Sequence, residues 1–182
     1  MEDLRGLTGI VAVDRSAMGE IVRESLVGCN MKVPMLVDNL DSALVACETH
    51  QPDAIFISFV FNKKPALELI KFIRKSRGGV GRVDPHLPII ITSHKANPKQ
   101  VKASLQAGAN EFLALPASRD ALTSAVDRAA NAQRDWIEVK SYIGPDRRRR
   151  QLPNLPFPDR RKSNATQSMG DNHDDHDDSI EI

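Results

Sequence analysis

PDAIFISFVF, residues 52–61, is the stretch on which the fold turns. It is an unbroken apolar run, rich in β-branched and aromatic side chains, between a Pro-Asp turn and Asn62-Lys63-Lys64. The run is too short for an independent helix, and its lack of polar alternation predicts a strand buried on both faces. Strands of that kind belong to parallel sheets covered by helices. Open sheets of this type carry their functional groups at the carboxyl ends of the strands, which draws attention to Ser58. A serine at that place, rather than a carboxylate, governs the reading of the function.

Outward from this strand the chain alternates. TGIVAV (8–13) is a short apolar strand, followed at helical spacing by Met18, Ile21, Val22, Leu26 and Cys29, with Ser16 as a candidate cap. Lys32–Val37 is a second strand, and Pro34, which cannot donate to a ladder, assigns it to a sheet edge. A helix starting at Asp38 or Asn39 turns Leu40, Ala43, Leu44 and Cys47 inward, and another over Ala66–Arg74 carries Leu67, Ile70 and Ile73. Gly78-Gly79-Val80-Gly81 follows a helix and lacks the Lys-Ser/Thr of a phosphate loop, so it reads as a plain connection.

PIIITS (88–93) is the fourth strand; Asn97-Pro98 opens the next helix and Gly108 ends it. Asn110–Leu115 is the fifth strand, closed by Pro116. The last helix starts near Ser118, turns Leu122, Val126 and Ala129 inward, and is expected to run to about Trp136. Five strand–helix alternations predict an α/β, flavodoxin-like, doubly wound sheet of five parallel strands in the order 2-1-3-4-5.

The formal net charge of +1 over 182 residues conceals a polarised layout. Residues 1–142 carry 18 Lys/Arg and 16 Asp/Glu, residues 143–165 carry 7 and 2, and residues 166–182 carry none and 6. A near-neutral domain is thus followed by a basic block and an acidic one, the pattern of solvated interaction tails. Cys29 and Cys47 fall on apolar helix positions and read as buried, reduced thiols. No run is long enough to cross a membrane and MEDLRGLTG has no signal-peptide pattern, so a cytoplasmic protein is expected.

With IVAVDRSAMGEIVR (10–23), LELIKFIR (67–74), LPIIITS (87–93) and LQAGANEFLALP (105–116) in place, the chain resembles a response-regulator receiver domain of the CheY type over roughly residues 6–135. The resemblance implies a phosphorylation site at the carboxyl ends of the strands. Carried over by position, the paired acidic residues fall on Val13 and Asp14, and the phosphoacceptor falls on Ser58. The hydroxyl falls on Ser93, the lysine on Leu115 and the switch aromatic on Phe112. Phosphotransfer needs a carboxylate nucleophile, and Mg²⁺ wants oxygen ligands, commonly carboxylates. Ser58 and Val13 supply neither, and Leu115 has no charge for a phosphoryl oxygen. The expectation is a degenerate receiver, not an enzyme, with no Mg²⁺. Asp14 reads as a solvated or capping carboxylate and His94 as an exposed loop residue. Phe112 stands on the face of the fourth helix, fifth strand and fifth helix, by which receivers dock partners.

The segment KSYIGPDRRRRQLPNLPFPDRRK (140–162) holds Pro145, Pro153, Pro156 and Pro158, which exclude a continuous helix, and shows no strand alternation. Pro-Asp-Arg-Arg occurs in it twice, with Tyr142 near the first copy and Phe157 directly before the second. Arginine is planar; it stacks on rings and forks onto phosphate or the O6/N7 edge of guanine.

A receiver without its phosphorylation site, followed by GPDRR, resembles the Cle class of CheY-like effectors. That resemblance implies binding of cyclic di-GMP by the arginine-rich segment, with the receiver body acting at the flagellar motor. The residues it designates are Arg147, Arg148, Arg149, Arg150, Arg160 and Arg161, with Tyr142 and Phe157 as stacking partners. The expected layout is a degenerate receiver over 6–137, an arginine-rich segment over 138–165 and an acidic tail over 166–182. The alternatives are a ligand-free docking pseudo-receiver in a two-component pathway and, as the weaker reading, a nucleic-acid binder. The His173/His176 region reads as a solvated acidic tail rather than a metal site.

Overall fold

The structure is a computed structural model that describes residues 4–13, 17–61, 64–76, 83–131, 135–139 and 141–146. Five parallel strands form the sheet: β1 (Gly9–Ala12), β2 (Met35–Val37), β3 (Ala54–Ser58), β6 (Ile89–Ser93) and β7 (Glu111–Ala114), in the order β2-β1-β3-β6-β7. Between β3 and the next helix, β4 (Val60–Phe61) and β5 (Lys64–Pro65) form a small antiparallel ladder. The helices are α1 (Ala17–Gly28), α2 (Leu40–His50), α3 (Leu67–Lys75), α4 (Pro98–Ala107) and α5 (Arg119–Asn131). This is the flavodoxin-like sheet the alternation predicts.

Residues 54–57 of β3 are fully buried, and the sheet splits the apolar core into two layers. One, with Ile55, Ile57, Ile70, Ile73, Ile89 and Ile91, lies under α2 and α3; the other, with Val11, Phe56, Ile90, Leu122 and Val126, lies under α1 and α5. β2 is the edge strand, as Pro34 requires, but the ladder begins after the proline, at Met35.

Local signals set the helix ends. The Asn39 side chain accepts from Ser42 N at 2.8 Å and that of Asn97 from Gln100 N at 2.9 Å, each taking up a free first-turn donor. Ser118 Oγ does the same for Ala121 N at 3.2 Å. Gly108 ends α4 with φ of 110°, in the left-handed region that favours glycine. Two inward assignments change: Ile21 is 52% and Leu40 37% exposed, and the inner face of α2 is Ala43, Ala46 and Cys47. Met18 as a core residue, Ser16 as a cap and the Gly78–Gly81 loop lie outside what is described.

The largest departure follows the last helix. α5 is described as far as Asn131, and Trp136 lies in a strand rather than in the helix. β8 (Trp136–Val139) and β9 (Tyr142–Pro145) pair antiparallel, Trp136 opposite Pro145, where no strand was expected. Pro145 is compatible because it ends an edge strand, where no ladder donor is needed. β9 packs against α3 and α4, and the compact unit runs from Met1 to Arg147, so the hairpin belongs with the domain rather than with the segment expected from residue 138.

Candidate functional site

At the carboxyl end of the sheet stand Val13, Ser58, Ser93 and Leu115; Asp14 lies outside the described residues. Ser58 ends β3 opposite Thr92 and is partly exposed. The Ser93 hydroxyl donates to Gln100 Oε1 at 3.3 Å and accepts from Lys95 N at 3.2 Å, so it is engaged within the protein. Val13, 7% exposed, belongs to the core layer under α1 and α5, and Leu115 packs against that same layer. Two positions that bear charge in the family pattern here join one apolar cluster. Val13 offers hydrocarbon and Ser58 a neutral hydroxyl, so neither of these two supplies a carboxylate for Mg²⁺. Phe112, on β7, is half-buried against the other core layer, and His94 is exposed, as expected of a loop residue.

The opposite end of the sheet holds a second constellation, built on Arg74. This arginine closes the apolar stripe of α3 and is 2% exposed. Its Nε donates to Gly108 O at 2.8 Å, Nη1 to Pro85 O at 2.6 Å and Leu87 O at 2.8 Å, and Nη2 to Asn110 Oδ1 at 2.6 Å. Asn110 in turn accepts from Ile89 N at 2.9 Å and donates to Ala129 O at 3.1 Å, tying α3, β6 and α5 together. Burial pushes the Arg74 guanidinium down to about 10, with Tyr142 and Asp84 acting in the other direction, so it is charged at neutral pH.

The hairpin docks on this group. The Arg74 guanidinium carbon lies 5.4 Å from the Trp136 ring centroid, within cation–π range. His86, whose side chain is 61% exposed, sits with its ring 4.1 Å from that of Trp136 at 39°, and its Nδ1 is 3.3 Å from Asp84 Oδ1. Gly144 has φ of 151°, and a Cβ there would come within 3.1 Å of Gly108 Cα. Tyr142, expected as a stacking partner, is 7% exposed, and its hydroxyl donates to Pro145 O at 2.6 Å. It holds the hairpin's last turn and offers no free ring face. Asp146 N then donates to Asp135 O at 2.8 Å, which fixes the chain one residue before Arg147.

The remaining designated residues, Arg147, Arg148, Arg149, Arg150, Phe157, Arg160 and Arg161, lie outside the described residues. His86 and Trp136 escaped the sequence reading. The signal available was slight: Trp136 is the one tryptophan of the chain, ten residues before Asp146. Among the described residues, no three His, Cys, Asp or Glu side chains are grouped to hold a metal ion, and no helix is long and apolar enough to cross a membrane.

Residues 10–127 match the response regulator receiver domain, and the chain belongs to that family, one of signalling modules that act through protein partners. Among solved structures it is similar to a putative response regulator from Chloroflexus aurantiacus, with 21% identity over 68% of this chain and 97% of that one and a TM-score of 0.59. It is also similar to the receiver domain of the sensor histidine kinase PA1611 from Pseudomonas aeruginosa, whose active-site cleft coordinates magnesium. There the identity is 22% over 69% of this chain and 98% of that one, with a TM-score of 0.58. NtrX from Brucella abortus aligns at 22% identity over 69% of this chain and 27% of that one, with a TM-score of 0.59. These likenesses concern the fold. A comparison with curated proteins returned no match.

Proposed function

We propose that this protein is a degenerate receiver, a phosphorylation-independent adaptor that is not an enzyme, and that it binds cyclic di-GMP through Arg147–Arg150, Arg160 and Arg161, with Phe157 stacking. The observation that carries the first half is the packing of Val13 and Leu115 into one apolar cluster where the family pattern has charge. No Mg²⁺-dependent step is assigned to that end. The second half rests on the repeated Pro-Asp-Arg-Arg and its resemblance to the Cle class, and is supported by the hairpin, which ties the start of the arginine run to the folded domain at Asp146. Two guanines and two phosphates suit planar, bidentate arginines. The liganded surface would engage a signalling or flagellar-motor protein at the face of α4, β7 and α5, where Phe112 stands half-buried.

The test is calorimetric titration of cyclic di-GMP into the full chain and into a chain ending at Asp146, which keeps the hairpin whole. Binding by the first and not the second is the expected result. Equal binding by both would move the site into the domain, and no binding by either would leave the ligand-free docking module.

A further inference from the structure

We propose that the β8–β9 hairpin is a strap that sets the pose of α4, coupling the last element of the folded domain to one side of the partner-docking face. The importance of α4 rests on the docking reading above; the coupling itself is a property of the domain and needs neither ligand nor partner.

Three observations converge. First, α4 has a shallow seat. Of its ten residues only Ser104 and Ala107 are buried, whereas α3 turns Leu69, Ile70, Ile73 and Arg74 inward. A helix that buries a hydroxyl and a methyl draws little from the apolar core, and elements with few buried apolar contacts open most easily. Second, the seat is imperfect. Ser104 is 0% exposed, and its Oγ has no hydrogen-bond partner among the described residues, which weakens the closed position. Third, the C-terminal end of α4 is pinned from outside. Gly108, whose N–H closes the helix on Ser104 O and Leu105 O, accepts at its own carbonyl from Arg74 Nε at 2.8 Å. β9 lies directly against the same glycine: a Cβ at Gly144 would come within 3.1 Å of Gly108 Cα, and one at Gly108 within 2.8 Å of Ile143 O. The two glycines bring backbone onto backbone, with no compliant side chain between hairpin and helix. Trp136, 5.4 Å from Arg74, ties β8 to the same arginine. Displacing the hairpin therefore removes support from the end of a helix that has little of its own.

The test is amide hydrogen exchange on the full chain, read segment by segment. Gly144→Ala sets a methyl against Tyr142 Oη at 2.9 Å and Gly108 Cα at 3.1 Å, where φ is 151°, and so lifts the hairpin without changing α4. Exchange over residues 103–109 is expected to rise about tenfold, with β1 and β3 as in the wild-type chain. Trp136→Ala, which frees the hairpin on the Arg74 side, is expected to give the same pattern. Ser104→Ala removes the unmatched hydroxyl, and should slow exchange over the same residues and bring the Gly144→Ala chain back towards wild type. Unchanged exchange of α4 in both hairpin variants overturns the strap. So does an equal rise over the whole sheet, the mark of a general loss of stability. Faster exchange of α4 in Ser104→Ala overturns the weak seat on which the strap depends. Titration of cyclic di-GMP decides the ligand separately, so the two readings fail independently.

Discussion

The guanidinium of Arg74 lies 5.4 Å from the centroid of the Trp136 ring, so a buried charge on α3 meets the one tryptophan of a hairpin 62 residues further along the chain. The same group donates to three backbone carbonyls and to Asn110. Arg74→Met keeps the stem and removes every donor, leaving buried acceptors unmatched. A loss of about 3 kcal/mol in urea unfolding is expected, with a red shift of Trp136 emission in the native baseline as the hairpin loosens. A loss within about 0.5 kcal/mol would mean that the carbonyls find water and that the arginine is dispensable.

Two glycines make a paired test. At Gly108 a Cβ would meet Arg74 Cγ and Ile143 O, both at 2.8 Å, while φ is 110°. At Gly6 φ is 89° but nothing lies within 4 Å. Gly6→Ala should therefore cost about 1 kcal/mol, the strain of a left-handed alanine alone. Gly108→Ala adds steric conflict with the arginine and the hairpin, and should cost roughly 3 kcal/mol in the same assay. Equal costs would show that the hairpin yields freely.

Cys47 supplies a pH dependence. Burial, with the Glu48 charge adding to it, pushes the thiol from 9.0 up to about 12. Above pH 9 the unfolded chain loses this proton while the folded one keeps it. The contribution is therefore complete below pH 9 and falls away towards pH 12, by up to about 1.4 kcal/mol per unit. Arg74 acts in the opposite sense, because burial depresses its value and so makes stability rise with pH above about 10. The clean window is pH 9 to 10. Urea midpoints there should decline for the wild-type chain and decline less for Cys47→Ala; parallel slopes would remove Cys47 as the cause.

At the carboxyl end of the sheet, replacing one residue should restore nothing. Ser58→Asp supplies a nucleophile, but Leu115 and Val13 remain hydrocarbon in a packed layer. Neither the wild-type chain nor Ser58→Asp is expected to take up label from acetyl phosphate with Mg²⁺, read as a mobility shift in a phosphate-binding gel. Labelling of the wild-type chain would overturn the degenerate reading.

The sequence made the sheet legible because its signals are local and agree with one another: the apolar run at β3, Asn97-Pro98 at one end of α4 and Gly108 at the other. It hid the hairpin because Trp136–Val139 and Tyr142–Pro145 are four residues each and carry little alternation, so the pair draws on the contacts of β9 with α3 and α4. Arg74 was masked for a related reason. Four residues after Ile70 it occupies the inward face of α3, but a charge at that place is read as solvated unless its acceptors are known, and these come from residues 85, 87, 108 and 110. Tyr142 misled because proximity to arginines in sequence says nothing of which way a ring turns.

The bond from Asp146 N to Asp135 O has a consequence for binding strength. A fully extended chain advances at most about 3.6 Å per residue, so Arg150 cannot stray more than roughly 14 Å from that anchor. Cations tethered so closely present themselves to a neighbouring surface at an effective concentration on the order of millimolar. A ligand that touches the domain only weakly would then be retained by a second, intramolecular encounter. For such a ligand, the hairpin would exchange two separate feeble contacts for one avid one.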